Sequence, residues 1–162
     1  DLATLRPTMV VVAMSRIATL VDGSGTASVA QRPDLWNAGI ATTLARLAGL
    51  SEKVVLLGDT PRSEIDPPAC LSKHLDDVLA CATPFAAAVD MKRTAADRGL
   101  AAAAGATFVD PTSWVCPSDP CPVVIGSYLV FRDAHHLTTP FSTALARRLL
   151  AALPPLPRLG GG

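Results

Sequence analysis

The run "RPTMVVVAM", residues 6–14, constrains the fold more than any other stretch of this chain. Its apolar side chains follow one another without polar alternation, and the central ones are β-branched. A strand with one wet face alternates, whereas an unbroken run of this kind predicts a strand buried on both faces of a parallel sheet. "KVVLLGD", residues 53–59, has the same character. Between the two, "PDLWNAGIATTLARLAGL" places Trp36, Ile40, Leu44 and Leu47 at helical spacing, with Asp34 as the cap and Gly49 near the end. Strand, helix and strand make a βαβ unit with a right-handed crossover, so the chain reads as α/β.

The intervening "SRIATLVDGSGTASVAQR" is rich in Gly, Ser and Thr and reads as a surface loop. A second crossover runs through the Ala-rich helix "AADRGLAAAAG", which Gly105 terminates, into the strand "ATFVDP". "CPVVIGSYLVFRD" reads as a hairpin of two short strands around Gly126 and Ser127. The last helix has Thr139 as cap, Pro140 at its first position, and Phe141, Leu145 and Leu149 along one face. The tail, 154–162, reads as disordered. Three parallel strands thus end in polar residues: Ser15 and Arg16, Asp59 and Thr60, and Asp110. Ligands of open α/β sheets bind beyond the carboxyl ends of the strands, so these residues are expected to rim one cleft.

Composition narrows the partners. Fourteen basic residues balance fourteen acidic ones and aromatics make up only 4% of the chain, so neither a phosphate-tracking face nor a base-stacking platform is visible. The 162 residues suffice for one domain with its own core. No run of 18 apolar residues spans a bilayer. The opening residues read as the run-up to a buried strand without a charged leader, so the chain is read as cut from something longer, with any membrane anchor upstream.

Four cysteines fall into two close pairs, Cys70 with Cys81 and Cys116 with Cys121, each bracketed by proline or turn residues. Two local disulfides are the economical reading, each worth about 2 to 3 kcal/mol by loop entropy. A zinc site built from both pairs is the alternative, although the two-to-four-residue knuckles of structural zinc are missing. Disulfides place the domain outside the cytosol.

The stretch "FRDAHHLT", residues 131–138, sets Asp133 three residues before His136. A carboxylate that accepts the Nδ1 proton of an imidazole fixes the tautomer and frees Nε2 to take a proton from a hydroxyl. The bland reading is a capping Asp beside surface histidines. His74 reads as a surface helix residue, Trp36 and Trp114 as core anchors, and Ser113 and Asp110 lie near the strand ends without an assigned role.

The order of these blocks resembles a known family. A buried strand ending in Ser, a crossover helix, "VVLLGDTP", a cysteine pair, "ATFVDP", a second pair and "DAHHLT" before a terminal helix is similar to the back two-thirds of an SGNH hydrolase domain. It resembles most the extracytoplasmic SGNH domains fused to acyltransferase-3 membrane proteins, which O-acylate cell-envelope glycans. The resemblance implies a three-layer αβα, flavodoxin-like parallel sheet over residues 1–153 whose N-terminal strands are missing from this chain. It implies His136 as general base and Asp133 as its orienter, with no cofactor and no metal. Its nucleophilic serine belongs to a Gly-Asp-Ser block that occurs nowhere in this sequence and is expected upstream. "LLGDTP" offers Gly58, Asp59 and Thr60 as a substitute, but a βαβ unit precedes it, so it reads as a strand end and proline turn. Where the family has an asparagine oxyanion donor this chain has Ser15 and Arg16, which with backbone N–H groups would have to donate instead. The implied activity is transfer of a short acyl group, acetyl foremost, from an acyl donor to a hydroxyl of envelope glycan or glycolipid. The implied partner is an upstream membrane acyltransferase domain of the same protein, with no nucleic acid. A non-catalytic glycan-binding or degenerate module lacking its nucleophile is the alternative.

Overall fold

The computed structural model describes residues 2–15, 18–23 and 25–156. A short helix, α1 (Leu2–Leu5), precedes strand β1 (Met9–Ala13). The stretch expected as a loop is instead an antiparallel hairpin, β2 (Thr19–Asp22) and β3 (Gly25–Ser28). Its four-residue strands carry little apolar signal, with Leu20 and Ala27 opposite one another and half-buried. Helix α2 (Pro33–Ala48) and strand β4 (Lys53–Leu57) follow. The second crossover contains α3 (Pro67–Leu71), a 3₁₀ turn (Val78–Cys81), α4 (Phe85–Ala88) and α5 (Met91–Ala103), and leads to β5 (Thr107–Val109). Then come α6 (Thr112–Val115), the hairpin β6 (Val124–Ile125) and β7 (Tyr128–Leu129), α7 (Thr139–Ala144) and α8 (Ala146–Ala152).

The α/β reading holds: β1, β4 and β5 form a parallel sheet in the order β1-β4-β5, flanked by helices. The expectation that β1 is buried on both faces does not hold. It pairs only with β4 among the described residues and leaves Val11 43% exposed. The fully buried run belongs to the central strand, at Val54, Val55 and Leu56. One face of the sheet packs Val54 and Leu56 against Trp36, Ile40, Leu44 and Leu47 of α2 and Ala101 of α5. The four α2 residues are those that the helical spacing selected. Trp36 is accordingly a core anchor, as expected.

Helix ends differ in detail from the sequence reading. Asp34 does not cap α2; the cap position is Arg32, and Asp34 sits in the first turn. A carboxylate there faces the positive end of the helix dipole without satisfying the cap itself. Gly105, at φ 68°, stops the chain after α5 in the left-handed conformation that a side chain disfavours.

The chain divides into two compact units. The first holds the described residues through Asp59, Arg93–Val109 and those from Leu153 on, and carries the sheet. The second holds Thr60–Lys92 and Asp110–Ala152. Its core gathers Val115, Val130, Phe131 and Phe141, with Trp114, Ile125, Leu137 and Leu145 packed around them. Both disulfides form as paired in the sequence reading, Cys70–Cys81 and Cys116–Cys121. No cysteine remains free, which removes the zinc alternative. His74 lies outside any helix, exposed in the loop that the first disulfide closes. Among the described residues no helix is long and apolar enough to cross a membrane. Of the tail, 157–162 lie outside the described residues.

Candidate active site

The Asp133 to His136 turn is held open at the tip of a small antiparallel arch in the second unit. Phe131 pairs with Leu137, the Arg132 amide donates to the His136 carbonyl at 2.9 Å, and the Thr138 amide donates to the Val130 carbonyl at 2.9 Å. Buried Val130 and Phe131 anchor the incoming limb and half-buried Leu137 the outgoing one. The outgoing limb runs directly into α7, and there the sequence reading needs correction. Thr138, not Thr139, is the cap: its backbone is extended and its Oγ1 accepts from the Phe141 amide, which puts Pro140 at the second helical position. The same hydroxyl donates to the Leu129 carbonyl at 2.6 Å, tying both limbs together at their base.

Within the turn one carboxylate makes nearly every polar contact. Oδ1 of Asp133 accepts from the amides of His135 (3.0 Å) and His136 (2.8 Å). Nδ1 of His136 stands 2.8 Å from Oδ2 and 3.0 Å from Oδ1. The His135 amide foremost, then the amide and ring of His136, hold the Asp133 carboxyl far below the usual carboxylate range, against the opposing effect of partial burial. An ionised carboxylate accepts only, so Nδ1 of His136 donates to it, and in the neutral ring Nε2 then carries the lone pair. The His136 side chain is 52% exposed, so its ring is open to solvent. Arg132 lies beside the carboxylate, its Nε 3.6 Å from Oδ2.

The turn has a second support that sequence reasoning missed. The buried Ser63 donates its amide to the Ala134 carbonyl at 2.8 Å, between the two dyad residues. Its Oγ accepts from the Ile65 amide and lies 3.4 Å from Oγ1 of buried Thr83. Thr83 exchanges both backbone hydrogen bonds with Cys121. A chain of contacts thus runs from Cys121 of the second disulfide through Thr83 and Ser63 to the turn that holds Asp133 and His136. Ser63 acts through a backbone N–H that every non-proline residue has, so residue type gives no signal for it.

The other expected site residues are distributed as follows. Ser15 follows β1 and Asp59 follows β4; since Ala13 pairs with Leu57, they leave the sheet at level carboxyl ends. Arg16 lies outside the described residues. Thr60 opens the second unit, the unit that also holds Asp133 and His136. Asp110 accepts from the Thr112 amide at 3.0 Å and so starts α6, on which Ser113 is exposed.

Comparison with known proteins matches residues 1–151 to the family described as the SGNH domain (fused to AT3 domains). No curated protein matches. Among solved structures, the periplasmic domain of a lipopolysaccharide acetyltransferase from Salmonella ser. Paratyphi A superposes with a TM-score of 0.59 at 12% identity. The match covers 92% of this chain and 59% of that one. At such identity the likeness concerns the fold, an SGNH-like α/β arrangement with a parallel sheet flanked by helices.

Proposed function

The chain belongs to the SGNH domains that are fused to AT3 domains, and from that premise we propose that it carries the base half of a serine acyl-transfer site. The observation that supports this most is the pair formed by His136 Nδ1 and Asp133 Oδ2 at 2.8 Å, with the imidazole half exposed. In this reading a serine from a Gly-Asp-Ser block upstream attacks the carbonyl carbon of an acyl donor. Nε2 of His136 takes the hydroxyl proton as the oxygen–carbon bond forms, and Asp133 stabilises the resulting imidazolium. As the bond to the leaving group breaks, that proton passes to it. An acceptor hydroxyl of envelope glycan or glycolipid then attacks the acyl-serine, loses its proton to His136 and regenerates the serine. Transfer prevails over hydrolysis where the acceptor displaces water. The acyl group is short, acetyl foremost. The domain works outside the cytosol, consistent with its two disulfides, beside an upstream acyltransferase domain of the same protein.

The test joins the chain to its upstream segment and incubates it with p-nitrophenyl acetate, comparing wild type with His136→Ala and Asp133→Asn and trapping acyl-enzyme by mass spectrometry. The expected result is a serine-linked acetyl whose formation falls about 10³-fold or more in His136→Ala. No turnover and no adduct would overturn the acyl-enzyme reading in favour of a non-catalytic glycan-binding module.

A further inference from the structure

The acyl-transfer reading leaves one donor of the turn without a role, His135. One ligand atom from each of Asp133, His135 and His136 lies within 4.8 Å of the other two. Nδ1 of His136 is 2.8 Å from Oδ2 of Asp133, and Nδ1 of His135 is 3.8 Å from Oδ1. The two rings lie side by side with centroids 4.2 Å apart. Donors bound at about 2.1 Å to a tetrahedral ion stand about 3.4 Å from one another. To the shared oxygen Oδ1 of Asp133 the two imidazole nitrogens stand at 3.0 Å for His136 and 3.8 Å for His135, which bracket that value. All three side chains are partly exposed, and the backbone beneath them is fixed by the Arg132 amide on His136, the Ser63 amide on Ala134 and the two amides on Asp133.

We propose that Asp133, His135 and His136 bind a borderline divalent cation, of which zinc is the type, and that its binding switches off the dyad. Two imidazoles and one carboxylate suit zinc or copper(II); magnesium and calcium take oxygen donors and are excluded. Water completes the coordination. The switch follows from the bonding at His136. A cation that takes the Nδ1 lone pair displaces the hydrogen bonded to Asp133, and the one hydrogen of the neutral ring then sits on Nε2. That nitrogen becomes a donor with no lone pair for a hydroxyl proton. Metal and base therefore exclude each other. The binding half of this inference rests on the geometry of the turn; the inhibitory half rests on the proposed acyl transfer.

The experiment separates the halves. The chain is titrated calorimetrically with zinc chloride and, as a control, magnesium chloride, in wild type, His135→Ala and His74→Ala, and ¹⁵N NMR locates the hydrogen on the His136 ring. Saturable binding of one zinc per chain is expected, with the His136 hydrogen moved to Nε2. Affinity should be about tenfold or more weaker in His135→Ala and unchanged in His74→Ala, whose histidine is exposed in the loop closed by the first disulfide and is not one of the three grouped donors. No saturable zinc binding below millimolar concentration, equal affinity in wild type and His135→Ala, or loss in His74→Ala overturns the site. With the upstream segment restored, zinc should stop ester turnover in wild type. Zinc binding of the expected form in a protein without ester turnover would overturn the inhibitory half and the acyl-transfer reading while leaving the site in place.

Discussion

The two units of this chain are held by different means. The sheet unit is ordered by periodicity: β4 contributes a fully buried apolar run, and α2 lays Trp36, Ile40, Leu44 and Leu47 over it at helical spacing. The second unit has only short helices and a two-by-two-residue hairpin. Side chains and sulfur bonds order it instead. Asp66 accepts from the Ala69 amide, Asp77 from Leu79, Asp119 from Phe85 and Asp133 from His135 and His136, while two disulfides close its loops. Irregular backbone leaves many amides without ladder partners, and short carboxylate side chains supply acceptors where no strand or helix does. The candidate chemistry sits in that second kind of architecture because the same carboxylate that satisfies a turn also holds an imidazole.

Substitutions in the two units should therefore fail differently. The largest effect is expected in the sheet. Leu56→Ala removes a side chain that is 1% exposed and should cost about 3 kcal/mol by cavity formation. Leu75→Ala, at an apolar residue 81% exposed on the disulfide-closed loop, should change stability by less than about 0.5 kcal/mol. Urea midpoints compare them; similar losses would mean that the periodic core is not what holds the sheet unit. Next in size is removal of either disulfide as a Cys-to-Ala pair, at about 2 to 3 kcal/mol for loops of these lengths. The loss should appear as faster hydrogen exchange at the amides of Thr83 and Cys121, which bond each other's carbonyls.

The same contrast explains what was legible in the sequence. The parallel sheet, α2 and the final hairpin follow from spacing and turn residues, and the disulfide pairing from short separation. The β2–β3 hairpin was hidden because its composition is that of a loop and only one apolar pair is partly covered. The edge position of β1 was hidden for another reason: an apolar run does not reveal which strands lie beside it. In the candidate site, Asp133 and His136 announce themselves by residue type and spacing. Their supports do not. Thr138 and Thr139 look alike in sequence, and what selects Thr138 is a bond to Leu129, nine residues away, across the arch.

That bond gives the third prediction. Thr138→Val keeps the shape of the side chain but deletes both the α7 cap and the tie to Leu129, and should cost about 1 to 2 kcal/mol. If the arch is held from its base, exchange of the Arg132 amide, which bonds the His136 carbonyl, should rise as well. Protection unchanged at Arg132 would mean that the turn is held by Asp133 alone.

The smallest effect sets one carboxylate of each unit against the other. Asp34 and Asp133 both titrate below the ordinary range, for different reasons. For Asp34 the hydrogen-bonded guanidinium of Arg32 is the leading cause, assisted by the Leu35 amide; for Asp133 it is the His135 amide. In both, the folded-state value lies below the unfolded one, so each stabilises the fold above the usual carboxylate range and loses that contribution as pH falls through its own lowered value. Salt should separate them. Mobile ions screen an exposed ion pair, whereas amide dipoles fixed by the backbone at hydrogen-bond distance are screened far less. Carboxyl ¹³C titrations in the presence of a chelator, at low salt and at about 1 M salt, where the screening length is about 3 Å, should show Asp34 moving up towards the ordinary range and Asp133 staying well below it. Equal movement of the two would mean that the charges of Arg132 and the histidines, rather than the amides of the turn, keep Asp133 ionised. The carboxylate that orients His136 would then be as sensitive to its ionic surroundings as any surface ion pair.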